Sequence, residues 1–168
     1  MKKKEEKTNV MRILEQKKVP YHAHYYEESE GPEETREYGV HIAQALGQDP
    51  ARAFKTLVAR GASKNHCVFE VPVAENLDLK KAARAAGEKS VELLHVAEIN
   101  GITGYIRGGC SPVGMKKQFQ TVFHETALGF PTIFVSGGKI GTQVEVEPNA
   151  LIALVRGKAA DLIEEKST

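Results

Sequence analysis

The sequence predicts a single mixed α/β domain whose sheet is mixed rather than all-parallel. Three observations carry this. At 168 residues the chain is long enough for one domain and short for two ordinary ones. Segments with helical spacing alternate with segments of period two, and several of the latter follow each other with no helix between them. No repeat, low-complexity block or linker divides the chain.

The elements follow in order. Residues 1–7 read as a charged, flexible leader, with the domain proper over 8–165. From Thr8 the spacing of Val10, Ile13 and Leu14 is helical, Thr8 or Asn9 can cap the start, and Pro20 closes the helix. Tyr21 to Glu27 alternates like a strand, and 28–37 reads as an acidic loop. A short helix is predicted from about Tyr38 to Gly47, followed by a turn at Asp49-Pro50. Phe54–Arg60 and Cys67–Val73 read as two strands joined across Gly61–Asn65, with Cys67, Phe69, Val71 and Val73 on one face, so Cys67 is a core residue. Asp78 caps a helix that Gly87 ends, with Leu79, Ala82, Ala83 and Ala86 as its buried stripe. A short helix within Val96–Asn100 precedes a glycine-rich stretch, 101–114. Phe119–His124, Thr132–Ser136 and Thr142–Val146 read as strands, the last two joined at Gly137-Gly138, and Pro148 opens a final helix.

Composition narrows the function classes. Hydrophobic residues at 41% and charged residues at 27% suit a globular domain with a core of its own, not a disordered chain. Lys plus Arg number 23 against 22 for Asp plus Glu, which argues against general coating of nucleic acid but leaves room for a local basic face. Nothing approaches a transmembrane run or an apolar export signal. Cys67 and Cys110 form no C-x-x-C pair and read as free thiols in a reducing compartment, so the protein is expected in the cytoplasm.

Chemistry concentrates at two places. Alternation puts Lys55 in a row with Ala53, Leu57 and Ala59, so its ammonium either snorkels to water as an edge-strand guard or serves as a cation at a pocket rim. In 103–114, adjacent Gly108 and Gly109 let the backbone approach a ligand and offer N–H groups to an oxyanion. That stretch fits neither a phosphate-binding G-x-x-x-x-G-K-[ST] loop nor a G-x-S-x-G nucleophile elbow, and a tight turn built for folding is the competing reading. Cys110 with His124 as base would make a cysteine hydrolase, though no flanking signature supports it. His22 and His24 share a strand face without a third metal ligand in view. Lys80, Lys81, Arg84 and Lys89, with Lys116 and Lys117, read as solvated faces unless they converge on one pocket as a track for RNA.

Five motifs then coincide in order: Phe54-Lys55-Thr56-Leu57, Leu77-Asp78-Leu79-Lys80-Lys81-Ala82, Thr103-Gly104-Tyr105, Gly108-Gly109-Cys110-Ser111-Pro112-Val113-Gly114 and Val135-Ser136-Gly137-Gly138-Lys139. With the opening Thr8-Asn9-Val10-Met11-Arg12, the sequence resembles YbaK/EbsC-type Cys-tRNA(Pro) deacylases over nearly its whole length. These are freestanding relatives of the prolyl-tRNA synthetase editing domain. The resemblance implies a central barrel-like mixed β-sheet flanked by helices. It implies a trans-editing hydrolase of Cys-tRNA(Pro), extending to Cys-tRNA(Cys), with no cofactor and no metal. If the substrate's own thiol cyclises onto the ester, the enzyme is formally a lyase.

By the same resemblance, Lys55 matches the essential lysine, and Gly108 the glycine whose backbone faces the aminoacyl ester. Tyr26, Tyr38, Thr56, Gly109 and Ser136 would line the substrate site. Gln143 stands where some relatives carry an acid and is left out, and Cys110 stands where aliphatic residues are common, which weakens a cysteine nucleophile. The implied partners are tRNA(Pro) and, transiently, prolyl-tRNA synthetase. Three readings compete with this one: a deacylase for another small ester such as Ala-tRNA(Pro), a tRNA- or nucleotide-binding module without turnover, and a phosphoesterase. The last lacks a carboxylate metal cluster and a phosphate loop.

Overall fold

The computed structural model describes residues 7–27 and 37–165. All but Lys7 of the expected leader, and all but residue 37 of the expected acidic loop, lie outside these. Among the described residues five α-helices and eight strands follow in the order α1 (Asn9–Gln16), β1 (Tyr21–Tyr25), α2 (Glu37–Ala45), β2 (Phe54–Gly61), β3 (His66–Pro72), α3 (Leu79–Ala86), β4 (Val91–Leu93), α4 (Val96–Thr103), β5 (Gln120–His124), β6 (Ile133–Ser136), β7 (Thr142–Val146), α5 (Pro148–Leu154) and β8 (Lys158–Ala160). The predicted mixed α/β class holds. The strands form a three-stranded sheet, β1-β7-β6, and a five-stranded sheet, β4-β2-β3-β5-β8. A parallel bridge from Ala53 to Phe134 links the two, so among the described residues the barrel-like sheet is two joined sheets and not a closed cylinder.

The five-stranded sheet is mixed. β2 pairs antiparallel with β3 and β4, whereas β3–β5 and β5–β8 are parallel. β3 lies at its centre, and every residue from Cys67 to Pro72 is buried. One face, carrying Cys67, Phe69 and Val71, packs with Ala82 and Ala83 of α3. On the other side of the sheet Phe54 and Phe123 join Val10, Met11 and Leu14 of α1, and Val113 of the glycine-rich loop. Fully buried side chains such as Phe123 and Leu14 contribute roughly 1.5–3 kcal/mol each.

Local signals set the helix ends. Thr8 caps α1 by accepting from the Met11 N–H at 3.2 Å. Asp78 accepts from the Lys80 and Lys81 N–H groups, and Gly87 ends α3 in the left-handed region at φ 72. Leu79 corrects the predicted buried stripe of α3: it is 46% exposed. As the first residue of that helix it projects over a pocket mouth instead of onto the sheet. Strands β4 and β8 were not legible in the sequence. Each has three residues, and its place is set by pairing with β2 or β5.

Candidate functional site

The site begins with an incomplete strand pairing. β4 pairs with β2 only at Ala59–Gly61, and the Leu94 N–H closes onto the Val58 carbonyl at 3.0 Å. Between that contact and the Ala53–Phe134 bridge to β6, β2 is therefore strand-paired on one side only, with β3. Main-chain groups alternate sides along a strand. Since the Val58 carbonyl points away from β3, the N–H and C=O of Thr56 point away from it too, toward open space.

That space is a pocket of about 440 Å³, within the usual range for small-molecule sites. β2 contributes Lys55 and Thr56, the loop after α4 contributes Gly108 and Cys110, the second sheet contributes Ser136 and Gln143, and Tyr26 and Tyr38 complete the wall. Six of the seven expected site residues thus come together: Lys55, Gly108, Tyr26, Tyr38, Thr56 and Ser136. Leu79 and Leu93, 46% and 44% exposed, form an apolar part of the rim.

Gly109 is the exception. It does not line the pocket, and its N–H donates to the Ile106 carbonyl at 3.0 Å. A Cβ at this position would lie 3.1 Å from both the Ile140 nitrogen and Lys139 Cα. Gly109 therefore serves close packing of this loop onto the β6–β7 turn, and its N–H is already used. Gly108, with φ 88, occupies the third position of the same turn, where a type II geometry demands a positive φ. Its N–H has no backbone hydrogen bond among the described residues. The adjacent glycines thus differ in place: Gly109 packs the loop onto the β6–β7 turn, and Gly108 lines the pocket. Tyr105 anchors the loop, its hydroxyl donating to the Val113 carbonyl.

Side-chain chemistry further sorts the wall. The Ser136 hydroxyl oxygen accepts from the Gly138 N–H at 3.1 Å, which leaves its proton for a bound group. Gln143 and Gln48 exchange amide hydrogen bonds of 2.6 and 3.1 Å, so a wall residue excluded from the sequence-derived set proves to be held by a helix-flanking partner. Sequence carried no signal for that pairing, which spans 95 residues. The Thr56 hydroxyl is turned out of the pocket: it is buried without a hydrogen-bond partner, so Thr56 meets a ligand through other atoms.

The cysteine-hydrolase reading fails on chemistry. Burial first, and then the neighbouring Glu70 carboxyl, push the Cys110 thiol up to about 12, so it is not a thiolate at neutral pH. His124 is occupied elsewhere, its Nδ1 accepting from the Leu162 N–H at 3.1 Å. His24 meets the Glu145 carboxylate at 2.9 Å, and no cluster of three metal-ligating side chains occurs among the described residues. Of the basic residues, Lys81 is structural: it donates to Asp161 at 2.9 Å and to the Ile163 carbonyl at 2.8 Å. No helix among the described residues is long and apolar enough to cross a membrane.

The model of the aminoacyl-tRNA editing domain family matches residues 33–154. The chain belongs to the aminoacyl-tRNA editing family. Within it, the editing protein is 45% identical over 161 residues to EbsC of Enterococcus faecalis strain V583, assigned as a Cys-tRNA(Pro)/Cys-tRNA(Cys) deacylase, with 96% of each chain covered. Its fold matches a crystal structure assigned as a trans-editing enzyme for prolyl-tRNA synthetase, at TM-score 0.74 and 27% identity, covering 94% of this chain and 99% of that one. It also matches hypothetical protein APE2540, at TM-score 0.79 and 22% identity, covering 92% and 99%; that likeness concerns the fold alone.

Proposed function

We propose that this editing protein hydrolyses the ester of Cys-tRNA(Pro), and of Cys-tRNA(Cys), as a freestanding deacylase. The observation that carries the reading is the meeting of Lys55, from β2, with Gly108, from the loop after α4, in the wall of one pocket. A prolyl site cannot strongly reject a cysteine of similar size, so a second site must clear the error. The relative EbsC supports the substrate class by its assignment.

An aminoacyl ester is already activated, and the Cys110 thiol in the pocket wall is held protonated. The substrate's own thiol supplies the nucleophile. Its sulfur forms a bond to the ester carbonyl carbon, the carbon–oxygen bond to the ribose breaks, and the thiol proton passes to the ribose oxygen. Water then opens the thiolactone to free cysteine. Alignment of an intramolecular nucleophile is worth effective molarities of up to about 10⁵–10⁸ M. In this scheme the Gly108 N–H donates to the developing oxyanion. Lys55 acts as a point charge at the carbonyl or the terminal phosphate, the Ser136 proton orients the ester, and Tyr26 and Tyr38 enclose it. Exposed Lys116, Lys117 and Lys139 supply a weak grip on the acceptor-stem backbone. A transient complex with prolyl-tRNA synthetase then provides tRNA selection.

The test is deacylation of Cys-, Ala-, Ser- and Pro-tRNA(Pro) by the native protein and by Lys55→Ala. Rapid cleavage of the cysteinyl ester alone, reduced by on the order of 10²-fold or more in the variant, supports the reading. Comparable rates on the seryl ester would sink the thiol mechanism. Preference for the alanyl ester would reassign the substrate, and binding without cleavage would make the protein a tRNA-binding module.

A further inference from the structure

Among the described residues Glu70 is the one carboxyl with 0% exposure. Its neighbours in the central strand, Phe69 and Val71, are apolar and equally buried, and neither Glu70 oxygen has a hydrogen-bond partner. An apolar residue would escape that desolvation, so strand stability alone gives no reason for an acid here.

Directly across the strand pair stands Thr56, whose buried hydroxyl is likewise unpartnered. By the alternation derived above, the two form a non-hydrogen-bonded antiparallel pair, the geometry that brings opposed side chains closest. Cys110 is also near enough to feel the Glu70 carboxyl, and both Thr56 and Cys110 line the pocket, whereas Glu70 does not. Burial holds the carboxyl well above its usual range, eased only by the Thr56 hydroxyl, which approaches without closing a well-formed hydrogen bond. Burial without a charged partner favours the neutral acid form of Glu70, which has one proton to donate and a carbonyl oxygen to accept.

We propose that Glu70 is a positioning residue: from behind the pocket wall it holds the Thr56 side chain and so fixes the unpaired edge of β2, whose main-chain N–H and C=O meet the aminoacyl end. At Thr56 the strand is paired on one side only, and a side-chain anchor there limits its movement. The Thr56 carbonyl suits a primary α-ammonium and its N–H suits an ester oxygen, so the edge reads the part common to primary aminoacyl esters. This rests on the reading that the pocket takes an aminoacyl ester.

The test compares native protein, Glu70→Val, Glu70→Gln, Thr56→Val and the double valine variant. The readouts are cleavage of Cys-tRNA(Pro), binding of the non-hydrolysable 3′-amide analogue of cysteinyl-adenosine, and thermal melting. Glu70→Val is expected to melt at or above the native temperature and to lose on the order of 10–100-fold in kcat/KM, as a slight misplacement of a bound ester does. Glu70→Gln keeps a donor and an acceptor and recovers most of that loss. The double variant costs no more than the worse single one, because both act through one contact.

Native-like cleavage and binding by folded Glu70→Val overturns the proposal, as does additive loss in the double variant or failure of Gln to recover activity. Should Glu70→Val not fold, Thr56→Val decides, and native activity there overturns the proposal. If the native protein cleaves no ester, the functional reading fails separately. Binding of the amide analogue then judges Glu70 alone: tenfold or so weaker binding by Glu70→Val sustains it, and equal or absent binding overturns it.

Discussion

Gln48 and Gln143 hold each other by two amide hydrogen bonds, 2.6 Å and 3.1 Å long, fastening the segment after α2 to β7 at the pocket wall. Gln143 is 7% exposed, so water cannot fully replace its partner. Gln48→Ala should cost about 1–3 kcal/mol, the price of a buried amide left unpaired. For a domain of this size that is a fall in Tm of roughly 3–10 °C. Thermal melting checks it; an unchanged Tm would mean the pair contributes nothing net.

Gly109 and Gly108 should fail in different ways. Gly109→Ala drives a Cβ to 3.1 Å from the Ile140 nitrogen and Lys139 Cα, both main-chain atoms that cannot swing aside, so a loss of about 1–3 kcal/mol in stability is expected. Gly108→Ala strains a φ of 88 at the pocket wall and should reduce turnover per folded molecule more than Gly109→Ala does. Melting curves paired with single-turnover deacylation separate the two.

Cys110→Ala should leave ester cleavage near the native rate. With its thiol pushed up to about 12, the thiolate fraction at pH 7 is on the order of 10⁻⁵. Complete loss of cleavage in a folded Cys110→Ala would restore this residue as a nucleophile.

His124 should make stability depend on pH. Burial lowers its value below the ordinary 6.5, and its Nδ1 must be unprotonated to accept from Leu162. Above 6.5 both folded and unfolded states are neutral here. As pH falls below that, the unfolded chain takes the proton first, and stability declines until pH drops past the folded value. Melting from about pH 8 to about pH 5 should therefore show a falling Tm whose slope flattens in His124→Asn. An unaltered slope would assign the decline to other groups.

Much of this was legible in the sequence because the signals are local. Thr8, Asp78 and Gly87 mark helix ends by capping chemistry available within a turn, and the alternation of Cys67, Phe69 and Val71 finds one face of β3. Alternation failed to single out Glu70, because β3 is buried on both faces and period two cannot show that the second face is covered. Leu79 departs from its stripe for a related reason: helical spacing defines a stripe, but not whether the first turn still lies over the core.

Periodicity along the chain determined the mixed α/β class, and the order of motifs determined the family and the cluster around Lys55 and Gly108. Only the tertiary structure decided which glycine faces the pocket, that β2 keeps an unpaired edge there, that Gln143 is held by Gln48, and that Lys81 serves Asp161. The physical reason is the same in each case. Capping, turn geometry and periodicity act over a few residues, whereas desolvation, close approach and hydrogen-bond pairing depend on partners that only the folded chain brings together.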